Sequence, residues 1–251
     1  MQNNSGRSSV SLHRFGPPGD AAAAARRATL VCFPHAGGGA TAYASWRRAL
    51  PERIELHAHV PPGREARGRE APLDSVADLA ADVLPALLAL PAPLVLAGHS
   101  FGACLAYELT HQLTQRGRPP AHLFVLAAGA PGPATPQAPR DDHEIELLWK
   151  RLGANTAGLD RPGFRERFFP VLRADLAAHA AFRPPPGRPP LTVPVTAMYG
   201  DEDPEVTADV AVTWAALCRG PFGLAAIPGG HFFPQNSATA ATGALVRALE
   251  V

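Results

Sequence analysis

Ser100 is the side chain best placed to act as a nucleophile. It lies in the run GHSFG at residues 98–102, after an apolar stretch at 91–97 that predicts a buried strand and before a helical pattern at 101–113. A G-x-S-x-G run between a strand and a helix is typical of a nucleophile elbow, where flanking glycines let the backbone crowd around an exposed serine. The run also occurs by chance, so the prediction depends on the partners that a serine nucleophile needs.

A candidate base follows the serine in the chain. In this architecture the catalytic partners come in the order serine, acid, histidine. His231 lies in the run PGGHF at 228–232, after a short predicted strand at 223–227. The two glycines before it let a loop bring the imidazole over Ser100. We therefore predict that His231 is the general base that takes the serine proton.

The acid is one of two neighbouring aspartates. Asp201 and Asp203 lie directly after a predicted strand at 193–199, where the acid of such a triad belongs. We favour Asp203, which lies further along the turn and just before a proline, and we expect Asp201 to form the turn by bonding its own backbone. Asp175 is a more remote alternative. The acid would hold His231 in the right tautomer and stabilise its charged form.

Two backbone amides are candidates for an oxyanion hole, which needs two N–H groups aimed at the developing charge. One is the amide of Phe101, the residue after the nucleophile. The other is the amide of Ala36, in the glycine-rich run HAGGG that follows a short predicted strand at 29–33. His35 and His99 lie beside these residues, and we expect them to shape the site, although each could equally be a structural histidine.

The elements that must position these residues alternate along the chain. Predicted strands lie at 29–33, 54–60, 91–97, 123–128, 193–199 and 223–227, and predicted helices at 41–50, 75–90, 101–113 and 239–249. This alternation predicts an α/β fold with a mostly parallel central sheet flanked by helices on both faces. We expect residues 12–131 and 191–251 to form this core and residues 1–11 to be disordered.

Residues 132–190 interrupt the alternation. They contain helical patterns at 142–152 and 164–181 and end in a proline-rich run at 183–190. We interpret this segment as an inserted helical lid over the edge of the sheet. The alternative is an ordinary helical crossover with a long loop.

The composition excludes several classes of protein. The chain has 251 residues, a formal net charge of +1 and 18% charged residues, which give no electrostatic reason to expect nucleic-acid binding. It has no apolar stretch of membrane-spanning length and no signal-peptide core, so we expect a cytoplasmic protein, by default a monomer. Three scattered cysteines indicate reduced thiols, and without CxxC or HExxH spacing we expect neither a metal nor a bound cofactor.

With these residues in place, the chain resembles the type II thioesterases, the stand-alone editing enzymes of modular polyketide and nonribosomal peptide synthesis. The resemblance begins near Leu12 and covers nearly the whole chain. Its specificity comes from the joint order of six motifs: CFPHAGG at 32–38, PGRE at 62–65 with Arg67, GHSFG with AYEL at 106–109, LRAD at 172–175, GDEDP at 200–204 and PGGHF at 228–232. The family usually has methionine after the nucleophile, where this chain has Phe101.

The resemblance implies an α/β-hydrolase fold with a helical lid. It implies hydrolysis of acyl thioesters on the phosphopantetheine arm of an acyl or peptidyl carrier protein, a role in antibiotic biosynthesis. The triad then falls on Ser100, Asp203 and His231, and the oxyanion amides on Ala36 and Phe101. The pantetheine belongs to the partner, so no bound cofactor is implied. The lid and exposed arginines are candidates for meeting an acidic carrier; the arginines considered are Arg64, Arg67 and Arg69.

Three other functions fit parts of the pattern. A carboxylesterase or lipase of the same fold would use the same triad on oxygen esters. A chain-releasing or cyclising thioesterase would also use it, although such domains usually follow a carrier domain, and the sequence has no carrier segment before this fold. A non-catalytic module that only docks carrier proteins would not need the intact serine, acid and histidine.

Overall fold

The structure, a computed structural model, describes residues 11–16, 28–132, 139, 141–154, 156 and 161–250. Its centre is a seven-stranded sheet with the strand order β1-β3-β2-β4-β5-β6-β7. The strands are β1 Leu12–Phe15, β2 Ala28–Phe33, β3 Ile54–His59, β4 Leu94–His99, β5 His122–Leu126, β6 Val195–Gly200 and β7 Phe222–Ile227. All neighbouring strands are parallel except β1, which pairs antiparallel with β3.

Helices pack on both faces of this sheet. Those described are α1 Trp46–Ala49, α2 Val76–Ala89, α3 Phe101–Gln115, α4 Asp142–Arg151, α5 Phe164–Ala181, α6 Ala208–Ala211, α7 Phe233–Asn236 and α8 Ala238–Leu249. Strand β2 shows how alternation fills both faces, because Val31 and Phe33 join the core with α2 and α3, whereas Leu30 and Cys32 join the core with α1 and α8. The predicted fold class is confirmed.

The parallel arrangement brings the site residues together. The register pairs Phe33 of β2 with Gly98 of β4, and Gly200 of β6 with Ile227 of β7. Loops that follow neighbouring parallel strands therefore leave the sheet at one edge. Functional sites of open α/β sheets lie at this carboxyl edge.

Two local predictions differ from the structure. Strand β1 was not predicted, because its four residues are too few and too mixed to show a period. The single helix predicted at 41–50 is wrong, because the structure has a 3₁₀ turn at Ala40–Tyr43, a turn at 44–45 and then the four-residue α1. Residues 1–10 of the predicted disordered segment lie outside the described residues. Ser11 is buried, and its carbonyl accepts a hydrogen bond from the N–H of Val60 at 2.8 Å.

Helices α4 and α5 lie between β5 and β6, in the segment predicted to be a lid. Helix α4 starts where the Asp141 side chain accepts a hydrogen bond from the N–H of Glu144 at 2.9 Å, a typical N-cap. The two helices pack together through a small cluster built on Ile145, Phe169 and Leu172, and Ala36 packs against that cluster. No helix in the described part of the chain is long and apolar enough to cross a membrane.

Candidate active site

Ser100 occupies a strained turn between β4 and α3. Its φ and ψ angles are 53° and −117°, a conformation that few non-glycine residues adopt. A Cβ atom on Gly98 would lie 2.3 Å from the carbonyl oxygen of Gly102, and one on Gly102 would lie 2.2 Å from the carbonyl oxygen of Phe33. Only glycine fits at these two positions, so the sequence enforces the sharp turn. The serine side chain is left half-buried at the N-terminus of α3.

A continuous hydrogen-bonded chain links Ser100 to an aspartate. The Nε2 atom of His231 lies 3.1 Å from Ser100 Oγ, and its Nδ1 atom lies 2.8 Å from Asp203 Oδ2. A carboxylate only accepts, so Nδ1 carries the proton that faces Asp203, and Nε2 is free to accept from the serine hydroxyl. The imidazole is thus in the tautomer that a general base for Ser100 requires.

The surroundings of Asp203 keep its carboxyl group ionised. Burial raises its pKa, but the hydrogen bond from His231 and two backbone N–H donors outweigh burial, and the pKa lies below its ordinary value. Those donors are the N–H groups of Glu205 and Val206, which bond to Oδ1 at 2.9 and 3.1 Å. They fix the carboxylate plane and direct the other oxygen to the histidine.

Asp201 has a different task from Asp203. Its Oδ1 atom accepts a hydrogen bond from the N–H of Gly229 at 2.9 Å, across from its own loop to the loop that carries His231. We expected the Asp201 side chain to bond the backbone of its own turn. That expectation is wrong, because the side chain bonds the backbone of Gly229. Backbone bonds reinforce the link, since the N–H of Asp201 donates to Ile227 and that of Glu202 to Gly229. The acid loop and the histidine loop are held as one unit.

Two unpaired backbone donors lie beside the nucleophile. Among the described residues, neither the N–H of Ala36 nor the N–H of Phe101 donates a hydrogen bond to another group. The paired ends of β2 and β4 and the close approach of Gly102 to Phe33 bring these two segments together. Free amides at this position are what an oxyanion hole requires.

His35 and His99 line the same site. The Nε2–H of His99 donates to the carbonyl of His231 at 2.8 Å, which holds the backbone of the base. His35 packs edge-on against both His99 and Phe232, with centroid separations of 5.1 Å. Burial lowers the pKa of His35 to about 4 and that of His99 well below its ordinary value, so both are neutral at pH 7. Neither places a second positive charge beside His231.

Comparison with known proteins decides among the hydrolases that share this geometry. The family model for the thioesterase domain matches residues 28–250. The chain belongs to the thioesterase family. It is an enzyme that hydrolyses thioesters, as the sequence predicts.

Three similar proteins define the branch of the family. The probable cadicidin biosynthesis thioesterase of Streptomyces griseus is 35% identical over 244 residues, which are 95% of this chain and 65% of that protein. Gramicidin S biosynthesis protein GrsT of Aneurinibacillus migulanus is 31% identical over 223 residues, 85% of each chain. The structure of the type II thioesterase BorB from the borrelidin biosynthetic cluster is 32% identical, with a TM-score of 0.82 over 95% of this chain and 97% of that chain. The resemblance to type II thioesterases and the α/β-hydrolase fold are confirmed.

Two arginines suggested as contacts for a carrier are not on the surface of this thioesterase. Arg64 is 9% exposed and pairs with Asp175, and Arg67 is 4% exposed and pairs with Asp82. The suggestion is wrong for both, because their charges are neutralised inside the protein. Of the three arginines considered, Arg69 is the exposed one. Charged residues are usually at the surface, and their partners lie far away in sequence, so no local pattern reveals these pairs.

His179 of α5 also lies at the site, and no sequence pattern predicts it there. Its ring centroid lies 5.8 Å from that of Phe101, the residue after the nucleophile. Burial first, and then the nearby His231, lower the pKa of His179 to about 4, so the imidazole is neutral at pH 7. The only sequence signal was the position of His179 within a predicted helix of the insert, which does not specify its neighbours.

Proposed function

We propose that this thioesterase is a stand-alone editing enzyme of polyketide or nonribosomal peptide synthesis. It removes aberrant or stalled acyl groups from the phosphopantetheine arm of an acyl or peptidyl carrier protein. Ser100 is the nucleophile, His231 the base and Asp203 the acid that orients it. The observation that carries the proposal is the hydrogen-bonded chain of 3.1 and 2.8 Å through His231. The similarity to BorB and GrsT supports the pathway.

The first half of the reaction acylates the enzyme. His231 Nε2 takes the hydroxyl proton of Ser100 as Oγ attacks the thioester carbonyl carbon, and the carbonyl oxygen becomes an oxyanion. The N–H groups of Ala36 and Phe101 donate to that oxyanion. Loss of one such donor costs about 3 kcal/mol of transition-state stabilisation. The carbon–sulfur bond then breaks, and the pantetheine thiol leaves with the proton held by His231.

The second half releases the acid. His231 takes a proton from water as the water oxygen attacks the acyl-serine carbonyl, and the same two amides receive the oxyanion again. The bond to Ser100 Oγ breaks, the serine recovers its proton, and a free carboxylic acid leaves. Asp203 stays ionised throughout and stabilises the imidazolium that forms in each half.

The partner brings the only cofactor that this scheme uses. Phosphopantetheine is attached to the carrier protein and enters the site as part of the substrate, in the cytoplasm. All the groups named in the scheme come from one chain, which supports a monomer as the working unit.

We assign α4 and α5 the part of a lid. Trp149 of α4 lies 6.2 Å from the ring of His35 and 6.0 Å from that of Phe232, and His179 of α5 lies 5.8 Å from Phe101. The two helices thus cover the residues around Ser100. This position supports a role in shaping the acyl pocket and excluding water during acylation.

The test is hydrolysis of a panel of acyl groups loaded on a carrier protein, with Ser100→Ala as the control. We expect release of short acyl groups, faster from the carrier than from an acyl N-acetylcysteamine thioester, and no turnover by the variant. The variant should fold normally, because it removes only the hydroxyl that faces His231 and keeps the backbone hydrogen bonds of Ser100 with Leu126 and Ala103.

Three results would contradict the proposal. Fast hydrolysis of oxygen esters beside slow thioester turnover would identify a carboxylesterase. A cyclic product from a long carrier-bound chain would identify a chain-releasing enzyme. Thioester turnover near the wild-type rate in Ser100→Ala would exclude the serine mechanism.

A further inference from the structure

The loop that carries Ala36 is held by side chains that the proposed reaction does not use. The N–H of Gly37 donates to Asp175 Oδ2 at 2.7 Å, and the carbonyl of Gly38 accepts from Arg64 Nη1 at 3.0 Å. These two glycines directly follow Ala36. Their hydrogen bonds therefore fix the peptide groups next to the amide that we assign to the oxyanion hole.

Asp175 and Arg64 also bind each other. The two guanidinium nitrogens of Arg64 donate to the two carboxylate oxygens of Asp175 at 2.6 and 3.0 Å. Asp175 is 1% exposed and Arg64 9% exposed. Buried charges are stable only when they are paired and hydrogen-bonded, and a two-pronged pair also fixes direction. The loop is thus held by two groups that have no freedom to move separately.

The three parts joined here come from distant segments of the chain. Asp175 lies on α5, Arg64 precedes the 3₁₀ turn Glu65–Arg67 after β3, and Gly37 follows β2. Phe168 and Leu172 of α5 pack against the same glycine, because a Cβ atom there would lie 3.0 and 3.2 Å from them. Side chains of α5 therefore hold the loop by packing as well as through the carboxylate of Asp175.

A second carboxylate holds the far end of the loop. Glu65 accepts hydrogen bonds from the N–H groups of Ala40 and Thr41 at 3.1 and 2.9 Å. Glu65 thus fixes the far end of the loop to the 3₁₀ turn. The near end, beside Ala36, is fixed to α5 by the hydrogen bond from Gly37 to Asp175.

We propose that Asp175 is a positioning residue for the oxyanion hole. Through Gly37 and Arg64 it keeps the N–H of Ala36 pointing toward the oxyanion, and it can do so only while α5 is packed on the loop. The inference rests on the proposed function through the assignment of Ala36. Displacement of α5 removes the acceptor from Gly37 and the partner from Arg64 together. The oxyanion hole is thereby complete only when α5 is in place.

The same turn offers a matched control pair. Arg67 donates to the two carboxylate oxygens of Asp82 on α2 at 2.6 and 2.8 Å, as Arg64 does to Asp175. Among the described residues, Asp82 makes no hydrogen bond or ion pair with the loop that carries Ala36. It is more exposed than Asp175, and Arg67 keeps Glu70 as a second partner. Asp82→Asn therefore removes the charge of a two-pronged pair away from the oxyanion hole, and the unfolding midpoints show how much of any loss of rate follows from lost stability.

The experiment compares Asp175→Asn with Asp82→Asn in the full chain. The measurements are kcat and KM on an acyl N-acetylcysteamine thioester, the rate at which a fluorophosphonate labels Ser100, and the thermal unfolding midpoint. The phosphonyl oxygen enters the oxyanion hole, so labelling measures that hole without a thioester. Every partner of the Asp175 carboxylate is a donor, so the NH₂ group of an asparagine would face either Arg64 or the N–H of Gly37, donor against donor, and one contact is lost. We therefore expect Asp175→Asn to lower kcat and the labelling rate by 10- to 100-fold, with KM changed less than twofold. Asp82→Asn should lower either rate less than threefold.

Equal losses in the two variants, or a raised KM at unchanged kcat, would overturn the proposal. If Asp175→Asn does not fold, Arg64→Lys tests the same contact, because lysine keeps the charge but loses the fork and the bond to Gly38. We then expect an intermediate loss, and a wild-type rate in Arg64→Lys would overturn the proposal. Absence of thioester turnover in the wild type would contradict only the proposed function, because the labelling rates still compare the two variants.

Discussion

Asp203 uses its two carboxylate oxygens for different partners, so replacing one oxygen with the NH₂ group of asparagine should disturb the triad. Oδ1 accepts from two backbone N–H groups, so an asparagine at this position would keep its carbonyl oxygen there. Its NH₂ group would then face Nδ1 of His231. A donor in that place forces the imidazole into the other tautomer, with the proton on Nε2. That nitrogen can no longer accept from Ser100 Oγ.

We therefore expect Asp203→Asn to lower kcat by about 10⁴-fold with little change in fold. Steady-state hydrolysis of an acyl N-acetylcysteamine thioester and far-UV circular dichroism measure the two effects. Asp201→Asn is the matched control in the same loop. Its amide oxygen can still accept from Gly229, so we expect kcat within fivefold of the wild type. A large loss in Asp201→Asn with a small one in Asp203→Asn would exchange the roles of the two aspartates.

The turn between β4 and α3 shows how a strand and a helix fix the geometry of one side chain. The first turn of α3, which starts at Phe101, lies against the carbonyl groups at the end of β2. Gly102 makes that approach possible, since any Cβ would meet the carbonyl oxygens of Phe33 and Pro34 at 2.2 and 2.6 Å. Both atoms belong to the backbone and cannot rotate away as a flexible side chain can.

Gly102→Ala should separate α3 from β2 and lower the free energy of unfolding by about 1–3 kcal/mol, the usual cost of overpacking. Urea unfolding followed by circular dichroism measures it. Gly243→Ala is the matched control, because that glycine lies inside α8 and a Cβ there meets only the end of the flexible Arg247 side chain, at 3.4 Å. Alanine in a helix interior should raise stability by about 0.5–1 kcal/mol. A tolerated Gly102→Ala would contradict the requirement for close approach.

At the scale of the whole molecule, the sequence predicts those features that a local pattern encodes. Five of the seven strands have an apolar run bounded by turn residues, β3 alternates apolar and polar residues, and the parallel sheet follows from the alternation of these strands with helices. The juxtaposition of Ser100, Asp203 and His231 follows from the same alternation, because each residue comes directly after a strand and parallel strands share one carboxyl edge. The sequence thus predicts which loop carries each of these residues, although not its exact position within that loop.

Features that depend on partners distant in sequence were not predictable. Arg64 and Asp175 are 111 residues apart, and nothing in either neighbourhood indicates that both are buried. The sequence favours Asp203 over Asp201 by its place along the turn, but it does not show which backbone amides each carboxylate meets. The helix predicted at 41–50 is interrupted by a turn at 44–45, and the buried side chains on either side of it bond to distant carbonyl groups, Tyr43 to Phe33 and Trp46 to Pro234.

Acidification should destabilise the whole molecule between pH 6.5 and 4. Burial lowers the pKa of four histidines to about 4 in the folded chain: His35, His111, His122 and His179. The unfolded chain binds their protons below pH 6.5, so their contribution is complete above that pH and is lost as the pH falls. Each fully shielded histidine accounts for roughly 2 kcal/mol between pH 6.5 and 5. The lowered pKa of Asp203 acts below this window and does not oppose the loss.

Urea unfolding at pH 8, 7, 6 and 5 tests the expectation, with little change between pH 8 and 7, where these imidazoles are neutral in both states. His122→Gln isolates one contribution, because glutamine can still bond to Thr196 Oγ1, which lies 2.9 Å from the histidine Nε2. We expect the variant to lose less free energy than the wild type between pH 7 and 5. Identical pH dependence in the two proteins would mean that His122 binds its proton equally well in the folded and unfolded chains. A free energy of unfolding that rises on acidification would contradict the lowered pKa values of all four histidines.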